Sequence, residues 1–131
     1  MVDEHKYASE VAKDMQTLTL ATQTLGEEYF LSSTVGNQKD PFLYSDGNGT
    51  VLSVWEDSRA GLTYDIYYQQ ISNGNFVHDD NGIAVCQAEF SQLDPGIVSL
   101  SDLDNSFLLY WDDMRSSGKT DLHNVYMQSV T

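Results

Sequence analysis

Trp55-Glu56-Asp57-Ser58-Arg59 recurs as Trp111-Asp112-Asp113-Met114-Arg115, 56 residues further along the chain. Each copy is followed by a polar turn, Ala60-Gly61-Leu62-Thr63 or Ser116-Ser117-Gly118-Lys119-Thr120. An alternating segment comes next, Asp65-Ile66-Tyr67-Tyr68-Gln69-Gln70-Ile71 or Asn124-Val125-Tyr126-Met127-Gln128-Ser129-Val130. Upstream, Asp40-Pro41 and Asp94-Pro95 each introduce a short apolar run, Phe42-Leu43-Tyr44 and Ile97-Val98. The chain holds two Trp, two Pro and two Arg, and every one falls at a repeat-equivalent position. Internal duplication is therefore the first fact to explain.

A fainter third copy lies near the N-terminus, where Met15-Gln16-Thr17-Leu18 parallels Met127-Gln128-Ser129-Val130. Counted from glutamine to glutamine (Gln16, Gln69, Gln128) the periods are 53 and 59 residues. The chain divides accordingly into a lead-in, 1–13, a first repeat, 14–71, and a second, 72–131. Each period reads as four short strands. The first follows Pro (42–45, 96–99), and a turn rich in Gly, Asp and Asn leads to the second (50–55, 107–111). The third is the Tyr–Gln segment (65–71, 124–130, and a degenerate 14–20). The fourth is Gly82 to Cys86, aligned with Tyr29 to Ser33. Asn73-Gly74-Asn75 and Asn81-Gly82 are turn signals between them. The pattern predicts an all-β chain of two four-stranded antiparallel propeller-like blades, with a two-sheet β-sandwich as the alternative.

Composition narrows the function. Among 131 residues, 20 acidic side chains face 6 basic ones, a net charge of −14. So few cations supply no footprint for nucleic acid or for an anionic membrane surface. No apolar run approaches the roughly 18–20 residues of a membrane span. The single Cys86 excludes an internal disulfide framework and any multi-cysteine zinc site.

The repeat, Trp-[Glu/Asp]-Asp-x-Arg, a Gly/Ser turn, Asp-Ile-Tyr-x-Gln, then Asn-Gly-Ile-Ala-Val-Cys and Gln-x-x-Pro, resembles a repeat of large secreted bacterial surface proteins. Those proteins often carry a sorting domain for type IX secretion, and their repeats are taken to be β-propeller blades. The resemblance covers 37–130 well and 14–36 weakly, and implies an extracellular, cell-surface location. It implies no particular activity.

Trp55 and Trp111 are expected between packed sheets. Asp57 with Arg59, and Asp113 with Arg115, are expected to form carboxylate–guanidinium clamps that also cap backbone groups. The neighbouring pairs Glu56-Asp57 and Asp112-Asp113 do not suit glycosidase chemistry, because strand neighbours point to opposite faces. No catalytic residue is assigned, and the chain reads as non-enzymatic. Asp46-x-Asn48 and Asp102-x-Asp104 place oxygen ligands at alternate turn positions, the spacing by which loops present them to calcium; an Asx turn is the competing reading. Asn48-Gly49-Thr50 is a glycosylation sequon on an exposed turn.

Two blades cannot close a propeller, which needs four to eight. The chain also starts on a weak copy of the third strand and ends on a full one. These features predict an extracellular self-assembling structural module, partnered head to tail with itself in a ring or filament. The rival expectation is a carbohydrate-binding, lectin-like module that stacks glycans on tyrosines among Tyr64, Tyr67, Tyr68, Tyr110 and Tyr126.

Overall fold

The computed structural model describes residues 26–101, 106–116 and 122–131. Over these residues the chain is all-β, with two antiparallel sheets. The first contains β1 (Gln38–Ser45), β2 (Thr50–Asp57), β3 (Asp65–Ser72), β4 (Asn75–Phe76) and β5 (Ile83–Cys86). Its order is β1-β2-β3, and both β4 and β5 pair with the far edge of β3. The second sheet runs β6 (Gln92–Ser101), β7 (Ser106–Asp113), β8 (Asn124–Val130).

Side-chain alternation assigns the faces. On β7, Phe107, Leu109, Trp111 and Asp113 are buried while Leu108, Tyr110 and Asp112 are half-buried, the period-2 signature of a sheet covered on one side. On β2, Leu52 to Asp57 are buried on both faces. One face of the first sheet presents Leu52, Val54 and Tyr68, which pack against Ile97, Phe107 and Leu109 of the second. Burying each such side chain contributes roughly 1.5–3 kcal/mol. Tyr44 sets its ring edge-on to Phe107, 5.5 Å between centroids, and extends this core.

Both first strands begin before their proline. Asp40 and Asp94 take left-handed φ of 51° and 50°, and the register of each pairing slips there. Each Asp-Pro is thus a β-bulge inside an edge strand, where a missing N–H breaks no ladder.

The division into two equal four-stranded sheets requires correction. β5, expected to belong to the second repeat, hydrogen-bonds to β3, so the sheet boundary falls between Cys86 and Gln92 and not at 71/72. Among the described residues the second sheet has three strands. Tyr29 to Ser33, aligned in sequence with β5, forms no ladder; the third-strand copy it would pair with, 14–20, lies outside the described residues, as does the lead-in 1–13.

Structural equivalence between the repeats also differs from the sequence alignment. Ser58 N–H donates to Asn37 O, and Met114 N–H donates to Ser91 O. Gln38 Nε2 donates to Val35 O, and Gln92 Nε2 donates to Glu89 O. Left-handed Gly36 matches left-handed Phe90. From Val35 to Ser45 the equivalent residues obey an offset of 54, which rises to 56 only after the β1–β2 and β6–β7 turns. Cys86 therefore corresponds to Ser32, one residue from the Ser33 that the alignment pairs with it.

Candidate functional site

β2 ends in Trp55-Glu56-Asp57, and the chain then turns so that Arg59 folds back over the strand. Asp57 is fully buried, and its acceptors are used as follows. Oδ1 takes the backbone N–H and Nε–H of Arg59, each at 2.9 Å. Oδ2 takes Trp55 Nε1–H at 2.9 Å and Arg59 Nη2 at 2.6 Å. The guanidinium lies over the Tyr67 ring, 3.8 Å from its centroid, and Trp55 stacks beside the same ring. Burial alone would push the Asp57 carboxyl up, but the bonds from Arg59 and Trp55 outweigh it and hold the group below the usual carboxylate range.

The second copy repeats this plan. Asp113 accepts from Trp111 Nε1 at 2.8 Å, from Arg115 N at 2.8 Å and from Arg115 Nη2 at 2.5 Å. Arg115 lies 3.9 Å above the Tyr126 ring. Burial opposes ionisation here too, yet the Arg115 and Trp111 bonds bring the carboxyl down to about 2. The carboxylate–guanidinium pairs expected of Asp57 with Arg59 and of Asp113 with Arg115 are present, whereas Trp55, expected between packed sheets, lies on the face of the first sheet turned away from the second.

Each clamp is roofed by a segment that precedes its own sheet. Arg59 Nη2 donates to Ser32 Oγ at 3.2 Å and to Asn81 O at 2.7 Å. Arg115 Nη2 contacts Cys86 Sγ at 3.0 Å, and Cys86 sits on β5 of the first sheet. The second clamp is thus a latch between the sheets. Gly82 permits the close approach beside Asn81: its φ is +74°, and a side chain there would strike the Trp55 ring and Tyr68 O.

Glu56 makes a second joint between the sheets, one that its sequence position did not announce. It is buried; its Oε1 accepts from Asp94 N at 2.8 Å, at the β6 bulge, and its Oε2 pairs with Lys39 at 2.9 Å. Its counterpart Asp112 instead pairs with His123 Nδ1 at 2.6 Å on the surface. Buried Gln69 and Gln92 organise loops in the same manner. Gln69 Nε2 donates to Asp79 O, while its Oε1 accepts from His78 N and Gln70 N. The recurrent glutamines at 16, 69 and 128 were the signal available for the first of them.

The remaining sequence candidates separate. Asp46 Oδ1 accepts from the N–H groups of Asn48 and Thr50, at 2.7 and 3.0 Å, closing an Asx turn; these bonds lower its pKa. Asn48 is exposed on that turn, and Asp102 and Asp104 lie outside the described residues. Among the described residues, no three His, Cys, Asp or Glu side chains cluster as metal ligands would. Of the tyrosines expected as stacking platforms, Tyr67 and Tyr68 are buried, and burial pushes the Tyr68 hydroxyl up to about 12. The most exposed aromatics among the described residues are instead Tyr29 and Phe30, which line an apolar cavity of about 220 Å³ with Pro41, Trp55, Gln38 and Lys39. Chemically, the clamps have their carboxylate oxygens committed and offer no free acid, base or nucleophile. Compared with protein-family models, with curated proteins and with solved structures, the chain matches none.

Proposed function

We propose that this protein is an extracellular, non-enzymatic, self-assembling structural module, the subunit of a homo-oligomeric ring or filament at a cell surface. Its two sheets act as successive propeller-like blades, and the clamps are joints between blades. One comparison carries the reading. Ile66 and Tyr68 of β3 are 0% and 2% exposed, whereas their counterparts Val125 and Met127 on β8 are 74% and 66% exposed. The second sheet keeps the apolar residues of an inner blade on a face that no described residue covers. Patches of this kind mark association surfaces. The resemblance to secreted surface repeats and the net charge of −14 support the location. Size-exclusion chromatography with light scattering tests the proposal: an assembly of several subunits is expected, and a stable 14.7 kDa monomer at high micromolar concentration would refute it.

A second reading, glycan binding, is favoured by the cavity edged with Tyr29 and Phe30, where flat apolar rings lie beside the polar Gln38 and Lys39. A glycan array run on the protein and on a Phe30→Ala variant tests it, with binding expected only for the former.

A further inference from the structure

The contact between the two sheets is itself a template for the contact between two copies. Across it, Ile97 of β6 enters the surface formed by Leu52, Val54 and Tyr68. The position equivalent to Ile97 is Leu43 on β1, which is 57% exposed on the opposite face of the first sheet. The positions equivalent to Leu52, Val54 and Tyr68 are Leu108, Tyr110 and Met127, which share the uncovered face of the second sheet. Val54 is paired across strands with Phe42, whereas Tyr110 is paired with Gly96 and its ring occupies the space that a side chain at 96 would need. The ring changes strand, and an aromatic surface is retained.

The edge gives an independent argument. β5 pairs with β3 at Ile66↔Cys86, Tyr67↔Ala84 and Tyr68↔Ile83, and at the same time Cys86 touches Arg115 of the following sheet. No strand among the described residues pairs with the outer edge of β8. Ser32, the counterpart of Cys86, already touches Arg59 of the first sheet. A first sheet docked on the uncovered face would therefore carry Tyr29 to Ser32 to the place beside β8 that β5 occupies beside β3.

From this juxtaposition we infer that a second copy of the chain docks head to tail on the second sheet: its Leu43 enters between Leu108, Tyr110 and Met127, and its segment Tyr29 to Ser32 adds as the fourth strand on β8. The register transferred from β3 and β5 is Val125↔Ser32, Tyr126↔Phe30 and Met127↔Tyr29. The inference rests on the self-assembly reading and specifies its interface. Such a contact is heterologous, so repetition closes a ring or extends a filament.

Cysteine cross-linking tests the geometry. In a Cys86→Ser background, Tyr29→Cys and Met127→Cys are prepared as separate proteins and oxidised, singly and after dissociation and mixing. Both positions are exposed, and an unchanged unfolding midpoint verifies each fold. A disulfide-linked dimer is expected in the mixture and not in either protein alone, with a ladder of higher species from a chain carrying both changes. Tyr29→Cys mixed with Ser129→Cys should link at least tenfold less, because diagonal strand neighbours lie beyond disulfide reach. Linked dimers from either single variant would indicate a two-fold interface and overturn the proposal. So would an assembled protein that yields no 29–127 link; the self-assembly reading would then survive. A monomeric parent would remove both.

Discussion

Replacing Arg59 with alanine is expected to destabilise the fold by about 2–4 kcal/mol. The change leaves Asp57, fully enclosed, with Trp55 Nε1–H and one backbone N–H as its remaining donors. Removing one partner of a buried ion pair costs roughly 3–5 kcal/mol. Arg59 is 18% exposed, so water reaches part of the vacated space and the lower end of that range applies. Loss of the guanidinium from the Tyr67 ring adds back roughly 0.5–1 kcal/mol. Urea titration followed by tryptophan fluorescence measures the sum, since Trp55 belongs to the clamp itself; at a slope of roughly 1–3 kcal/mol per molar, the midpoint should fall by about 1–2 M. The mechanism predicts more than a loss. Asp57→Asn combined with Arg59→Met removes both charges and should be less destabilising than the two single changes added together, by about 1–2 kcal/mol. Additive effects, or an Arg59→Ala protein within about 0.5 kcal/mol of the parent, would show that the clamp is surface decoration.

Three further outcomes follow from comparing the two copies. Cys86→Ser should change stability by less than about 0.5 kcal/mol, because Ser32 already holds Arg59 from the equivalent position; calorimetry checks it. Asp65→Asn should stabilise the protein by about 0.5–1 kcal/mol at pH 7, again by denaturant titration. Burial raises the Asp65 carboxyl, Asp57 stands directly opposite it, and the second repeat has Asn124 at this place. Acid should weaken the fold between about pH 4 and pH 2. The Asp113 carboxyl is lowered from 3.8 to about 2, so its contribution is complete above the unfolded pKa and is lost as pH falls through the folded one. Screening at Arg115, 32% exposed, leaves about 1–2 kcal/mol for that loss. An Asp113→Asn protein should show a correspondingly flatter acid limb.

The sequence was most informative where function is local. Trp, Asp and Arg at i, i+2 and i+4 face one side of a strand and its turn, so spacing alone predicts the clamp. The two third strands among the described residues, 65–72 and 124–130, lie within a residue of their expected bounds, since period-2 alternation is set by the pleat. Longer-range partnership was less legible. The first strands run through their prolines, and the sequence does not show it because a bulge, with its residue at positive φ, leaves no mark in apolar periodicity. β5 belongs to the second repeat by sequence and to the first sheet by pairing, because repeat boundaries follow the sequence period while sheet membership depends on which edge a short strand reaches. Tyr67 and Tyr68 are both among the tyrosines expected to stack glycans; one lies under Arg59 and the other in the core. Glu56 shows the same limit, since its partner is a backbone N–H 38 residues away.

The treatment of strand edges points to use of the β8 edge. Natural sheets blunt an edge with charge, proline, bulges or short length. β1 has all but the last: Lys39, Asp40 and Pro41 lie at its bulge, where Lys39 pairs with Asp40 and Glu56. β6 has Asp94 and Pro95 at the same place, and β5 is four residues long. β8, Asn-Val-Tyr-Met-Gln-Ser-Val, has seven residues with no charge, no proline and no bulge in its pairing with β7. In a protein with 26 charged side chains among 131 residues, an uncharged edge beside an apolar face exposes the molecule to adventitious pairing. Its counterpart β3 is equally bare of protection over Ile66 to Ile71, and there β5 and β4 fill the edge. The same composition at β8 is what an edge needs when a strand is to be added to it. Introducing Met127→Lys should therefore reduce assembly while leaving the unfolding midpoint of the dissociated chain within about 0.5 kcal/mol of the parent, because the changed side chain is exposed until a partner arrives. If assembly persists unaltered with lysine at that position, the edge is idle and the contact between copies lies elsewhere.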